Sequence, residues 1–334
     1  MSTRTEPRLT SMGKALFLIL VLSASLSCTS TGMHERQLPQ EGNKLRAIGY
    51  SGMAKHGPAS YLVVHDTKVY EDGPRIGLLK VTADSGTRYT SLAVTDWKDP
   101  DGRSNDLESA CSLPGRAGEY LIAESGYWEG KYGRIFHVRV VGTRAEILRA
   151  YKLPLVADNN EQQEGDNFEG VACTTLDAER VLVILGERGG SILYPRGLLR
   201  WGTLDLRRES LNWHDGGKAS IEVKSPGNWP VNARERDISG LYASADGVLW
   251  GVATADAGDN GPFRSVIYKL GRIINGTRPV DLVLRPATAW TIDGMKVESL
   301  AAPTKLVDGS VLSIGSEDEN FGGVWRALYP MVAR

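Results

Sequence analysis

Four short phrases hold the residues best suited to chemistry: "DLESA" (106–110), "NFEGV" (167–171), "DISGL" (237–241) and "KVESL" (296–300). Glu108, Glu169 and Glu298 take the third place in three of them, and Ser239 takes it in the other. A second acidic set follows, at Asp66, Glu124, Glu187, Asp256 and the run Glu317, Asp318, Glu319. Four or more carboxylates in one small volume repel one another, so either some are protonated or a cation sits among them. Oxygen ligands on loops suit Ca²⁺ better than Zn²⁺. The competing reading is structural: such acids accept backbone N–H bonds, or lie on solvated loops. The loops "DWKDPDGRSND" (96–106), "ADNNEQQEGDN" (157–167), "DAGDNG" (256–261) and "EDENFGG" (317–323) share this polar character.

The phrases recur at intervals of about sixty residues, and the elements between them explain the spacing. Five units can be aligned, starting near residues 49, 106, 167, 237 and 296. Each offers three or four short runs rich in Val, Ile, Leu, Tyr and Trp, separated by Gly, Pro, Asp and Asn. A helical apolar period is scarce. Evenly spaced four-strand units predict an all-β propeller of five blades. Residues 196–236 are long for their place, which leaves a sixth, degenerate blade open. The fifth unit lacks a fourth strand, so "KLRAIGY" (44–50) is expected to close the ring as the outer strand of the last blade. In a propeller, the start of the first strand and the end of the second lie at the same end of the channel. Both acidic sets should therefore converge on one mouth. Glu108, Glu169, Glu298, Glu124, Asp256 and Glu317 are the candidate metal ligands. His65, beside Asp66, and Glu187 are the candidate bases.

Other residues are less specific. Arg188 and Arg264 could pair with the acids or bind an anionic substrate, and pairing is the expected role. Tyr127, Trp128 and Tyr132 in "GYWEGKYG" could rim the same mouth as a ligand platform, or cover the blade below. His137 reads as a strand position. Asp99, Asp101, Gly102 and Glu108 fall on calcium-loop spacing, but Trp97 takes the first ligand place, so the match is coincidental. Cys111 and Cys173 lie on neighbouring inner strands at offset positions; a disulfide is open to them, and two small buried thiols are the expected state. No nucleophile elbow, H-E-x-x-H or P-loop occurs.

The chain opens with Arg4, Arg8 and Lys14, then "ALFLILVL" (15–22) and "SASLSC" (23–28), the layout of an export signal. Its apolar run is shorter than the ~20 residues that span a bilayer. Cys28, followed by a polar tether (29–43), resembles the lipid-modified cysteine of bacterial lipoproteins. Thr29 then implies outer-membrane sorting, facing the periplasm. Losing residues 1–27 removes three basic residues and one acid, which moves the formal charge from −1 to −3. That offers no basic patch for nucleic acid. A monomeric domain over 44–334, tied to a membrane only through lipid, is expected.

The phrases "DLESA", "NFEGV" and "KVESLAAP", each followed by a buried strand that ends in acid, resemble the exported bacterial propellers known as esterase-like activity of phytase. Related propellers include calcium-dependent lactonases and pure binding scaffolds. The resemblance implies a metal-assisted hydrolase of an ester or phosphoester, with Glu108, Glu169 and Glu298 as ligands. Ser239 in the fourth unit and "SGMA" in the first depart from its pattern. Two other functions compete. One is a non-catalytic envelope propeller that binds a protein or glycan. The other is a glycosidase, for which the sequence singles out no acid and nucleophile.

Overall fold

A computed structural model describes residues 48–67, 73–100, 102–128, 131–154, 167–191, 195–229, 234–258, 261–318 and 322–330. Cys28, the export signal and the whole tether lie outside these residues. Among them no helix is long and apolar enough to cross a membrane.

The strands form five antiparallel blades. The first blade runs Gly52–Gly57, Ser60–Val64, Ile76–Val81 and Thr87–Ser91 from the channel outward. The second uses Leu107–Ser112, Glu119–Glu124, Arg134–Val141 and Arg144–Lys152. The third begins Phe168–Thr175 and Arg180–Glu187, the fourth Arg234–Ala243 and Val248–Asp256, and the fifth Val297–Ala301 and Leu312–Ser316.

The long stretch after residue 196 makes no sixth blade. Gly197–Asp205 is long enough to pair with two short outer strands end to end: Ser210–Trp213 on one half and Ile221–Val223 on the other. The fourth blade repeats the device, with Val280–Leu282 and Thr288–Asp293 sharing the edge of Arg264–Ile273.

Blades bury both faces, so the core is a set of layers between them. Leu62, Ile76, Leu107 and Phe136 fill the layer between blades one and two. Leu121, Phe168 and Val183 fill the next. Ile184, Trp201, Leu241 and Tyr268 follow, then Val252, Ile267, Leu300 and Ile314. Tyr50, Met53, Tyr61, Ala301 and Trp325 close the circle between blades five and one.

Residues 44–47 of the expected closing strand lie outside the described residues; 48–50, its end, tie the ring. Tyr50 N–H donates to Ser316 O at 2.9 Å, and Gly323 N–H donates to Ile48 O at 2.6 Å. Residues 48–50 therefore join the mouth end of blade five, beside its second strand. Trp325–Leu328 is the outermost described strand of that blade. The Tyr50 ring lies so close to Gly323 that a Cβ there would meet it at 2.8 Å, and Ser299 Oγ donates to Tyr50 O at 2.9 Å. Closure thus rests on one buried aromatic wedge as much as on backbone pairing. Tyr50→Ala should cost about 3 kcal/mol, the usual loss for a buried aromatic. A urea titration measures it, and an unchanged midpoint would contradict this account of closure.

Candidate functional site

The recurring phrase has a separate structural use for each of its residues. The apolar residue before the acid (Leu107, Phe168, Ile238, Val297) is fully buried between blades. The acid is the extra residue of a β-bulge. Leu107 pairs with Glu124 and Ser109 with Ala123, which leaves Glu108 unopposed. Glu169 is left out between Phe168 and Gly170, and Glu298 between Val297 and Ser299. In the fourth blade the shift runs from Arg236 to Gly240. A bulged side chain is turned away from the regular alternation of the strand, and these turn into the channel. The small residue that follows allows neighbouring blades to touch. A Cβ at Gly52 would lie 2.6 Å from Ser109 Cα, and one at Gly240 would lie 2.4 Å from Glu298 O.

Glu108, Glu169 and Glu298 are all buried, and they converge as expected. Glu169 and Glu298 both act on Glu108 across the channel, and Glu169 acts on Glu298. What neutralises them was not expected. Arg188 Nη1 reaches Glu169 Oε1 at 3.2 Å. Arg236 Nη1 lies 4.0 Å from the same oxygen and 3.5 Å from Glu298 Oε1. Lys296 Nζ lies 3.1 Å from Glu298 Oε1 and 2.6 Å from Glu317 Oε2. Those two carboxylates hold Lys296 protonated against its burial. Glu108 has no cationic partner among the described residues. Burial first, then Glu169, Asp106, Glu298 and Asp66, push its carboxyl well above the usual range. Burial also raises Glu298, against the opposing pull of Lys296.

The second acidic set serves the blades. Glu124 takes Arg134 Nε at 3.0 Å and Nη2 at 2.8 Å, and its two oxygens also accept the N–H groups of Asn105 and Arg134. Glu187 takes Arg200 Nε at 2.7 Å, with both side chains buried. His65 lies at the equivalent place of blade one. Its Nδ1–H donates to Gly49 O at 2.6 Å, and its Nε2 accepts from Tyr89 O–H at 3.0 Å. Burial pushes it down to about 4, so it is neutral and both nitrogens are engaged. Asp256 ends its strand opposite Arg234, but its side chain lies outside the described residues, as does Glu319. Arg264 pairs with Asp293 at 2.6 Å rather than with the mouth acids. Tyr127–Trp128 and Lys131–Tyr132 form a two-stranded ladder whose side chains are likewise outside the description. His137 Nε2 meets Glu119 Oε2 at 2.8 Å.

Ca²⁺ takes six to eight oxygens. Among the described residues no group of three or more His, Cys, Asp or Glu is placed to hold a metal ion. Glu169, Glu298 and Glu317 already face Arg or Lys, and Glu124 is closed around Arg134. Arg236 and Lys296 went unnoticed in the sequence. Both stand just before the third phrase-position of their units, so reading two or three residues upstream of that position would have found them.

Cys111 and Cys173 are joined as a disulfide, not left as thiols. Ser109 and Gly170 are equivalent, so the two cysteines are staggered by one residue. That stagger still leaves their Cα atoms 5.8 Å apart, within bridging range.

No protein-family model matches the sequence, and no curated protein sequence matches it. The family resemblance therefore rests on the short phrases alone. Among solved structures, a thermostable family-43 glycoside hydrolase is similar, with a TM-score of 0.51 and 9% identity over 86% of this chain and 92% of the other. An exo-1,5-α-L-arabinanase from a bovine ruminal metagenomic library gives 0.49 and 10%, over 85% and 94%. An oxidoreductase (glucose dehydrogenase) from Thermus thermophilus gives 0.40 and 11%, over 86% and 98%. At these identities the first likeness bears on the fold alone, and the other two carry no argument.

Glu108 holds its proton in the folded state above the pH at which the unfolded chain has lost it. Stability should therefore fall as pH rises past the unfolded carboxyl value, by up to about 1.4 kcal/mol per pH unit for one group. Glu108→Gln should flatten that slope and raise Tm more at pH 8 than at pH 5. Equal Tm shifts at both values would place the Glu108 carboxyl in the ordinary range.

Proposed function

We propose that the acidic mouth is the working end of an exported hydrolase, which cleaves an ester, phosphoester or glycosidic bond by carboxylic-acid chemistry. One observation carries this reading. Two carboxyls on adjacent blades have environments of opposite kind. Glu108 is buried with no cation beside it among the described residues, and burial and the neighbouring carboxylates push its carboxyl well above the usual range. Glu169 faces Arg188 and Arg236. A buried carboxyl without a cation, next to one held by two arginines, is the kind of pairing such hydrolysis needs. Glu108 would protonate the leaving oxygen. Glu169 would take the proton of the attacking water or attack directly. Arg188, partly exposed, would hold the substrate's developing charge. His65 and Glu187 have no part in it, because their polar atoms serve blade packing. The fold shared with a family-43 glycoside hydrolase is compatible with this reading and does not choose the substrate.

Aryl esters, aryl phosphates and aryl glycosides offered in parallel should reveal turnover in one class. Glu108→Gln and Glu169→Gln should each lower kcat by about 10²–10⁴, the usual worth of a positioned acid or base. Chelator should leave the rate unchanged, and calcium should leave Tm unchanged. If calcium raises Tm and chelator abolishes turnover, the metal-assisted reading replaces this one. If no class turns over, the mouth is a binding face for an envelope protein or glycan.

Export and lipid attachment at Cys28 belong to the same proposal. The Cys111–Cys173 disulfide supports it, because such bridges persist in oxidising compartments. Cys28→Ala should move the protein from the membrane to the soluble fraction. A variant that stays with the membrane would count against lipidation.

A further inference from the structure

The opposite end of the channel carries a second site. There the inner strands of the blades finish around a cavity of about 470 Å³, a volume typical of small-molecule sites. Its wall is built of small residues, among them Ala54, Ala110, Ala172, Thr174 and Ala301, together with the Cys111–Cys173 bridge. No Asp or Glu lines it. Lys55 and Ser112 also line an adjoining cleft of about 420 Å³, which reaches His56 and Arg116. The single acid of that cleft, Glu119, is taken up by Arg139 and His137 at 2.8 Å each.

Lys55 is the charged group shared by both spaces. Its Nζ donates to Pro303 O at 2.8 Å, and to Pro58 O and Tyr61 Oη at 3.2 Å each. All three acceptors are neutral, so the charge is not cancelled, but they engage all three N–H groups of the ammonium; a bound anion has to take over one of the two longer bonds, to Pro58 O or Tyr61 Oη at 3.2 Å. Among the described residues no carboxylate pairs with it. Desolvation, and then the nearby Lys305, push it down to about 8. An anion in the cavity would oppose both effects through its charge.

We propose that this back mouth binds a small oxyanion, a phosphate or a carboxylate, against Lys55, with Lys305 adding attraction from the rim. The site stands apart from the acidic mouth and does not depend on its chemistry. Ser112 Oγ, which donates to Lys55 O at 2.7 Å, fixes the backbone of the lysine itself.

The test is calorimetric titration of the whole protein with inorganic phosphate, and separately with citrate, at constant ionic strength. One of the two should bind saturably. Lys55→Met keeps much of the apolar stem and removes the charge. It should weaken binding by about tenfold or more. Lys305→Ala, an exposed substitution that serves if Lys55→Met fails to fold, should weaken it to a lesser degree. Glu169→Gln at the far mouth should leave the phosphate and citrate affinities unaltered. Phosphate binding alone would identify a phosphate-type ligand, and citrate alone a carboxylate. Failure of both, or binding that survives Lys55→Met and Lys305→Ala unaltered, would overturn the proposal.

Discussion

The ring depends on how closely five inner strands can approach one another. Around the channel each strand must pass its neighbour nearly backbone to backbone. The residue that allows this is the Gly or Ser directly after the third phrase-position: Gly52, Ser109, Gly170, Gly240 and Ser299. At Gly240 a single added carbon would meet the next blade's carbonyl at 2.4 Å. The same contact explains the bulge. A strand that must carry a large buried residue toward the blade interface, and a very small one toward the channel neighbour, gains an extra position between them. The acid occupies that position.

Once the bulges aim three carboxyls inward, charge becomes the governing problem. Buried like charges at short range cannot all be ionised without compensation. The protein uses two answers side by side. Arg188, Arg236 and Lys296 reach Glu169 and Glu298, while Glu108 keeps its proton. Blades one and four contribute Ser51 and Ser239 instead, which lowers the number of charges to be balanced. A uniform ring of five acids would have needed more protons or cations than the broken ring does.

Blade number and most strands were legible because each unit repeats the same apolar runs and turn residues. The convergence of Glu108, Glu169 and Glu298 was legible for the same reason, since a repeated position in a ring must face its own copies. Two things were not. The path of residues 48–50 depends on an aromatic packing against Gly323, and no local pattern marks that partner. The roles of Glu124, Glu187 and His65 depend on partners such as Arg134, Arg200 and Tyr89 that lie one strand or more further out. An acid at a strand end looks the same in sequence whether it faces a ligand or an arginine.

The two ends of the channel are therefore different in kind, and strand direction makes them so. All inner strands start at one end, where the phrase opens each with a bulge, and finish at the other, where small side chains let the strand ends meet. Bulges concentrate polar and titratable groups at the start. Small residues leave open volume at the finish, and the Cys111–Cys173 bridge holds two of the blades together along that wall. The chemistry proposed for the first end would rest on crowded acids with unlike partners. The binding proposed for the second would rest on a cation with no carboxylate partner among the described residues. A single parallel arrangement of strands thus yields two chemically opposed mouths without any added domain.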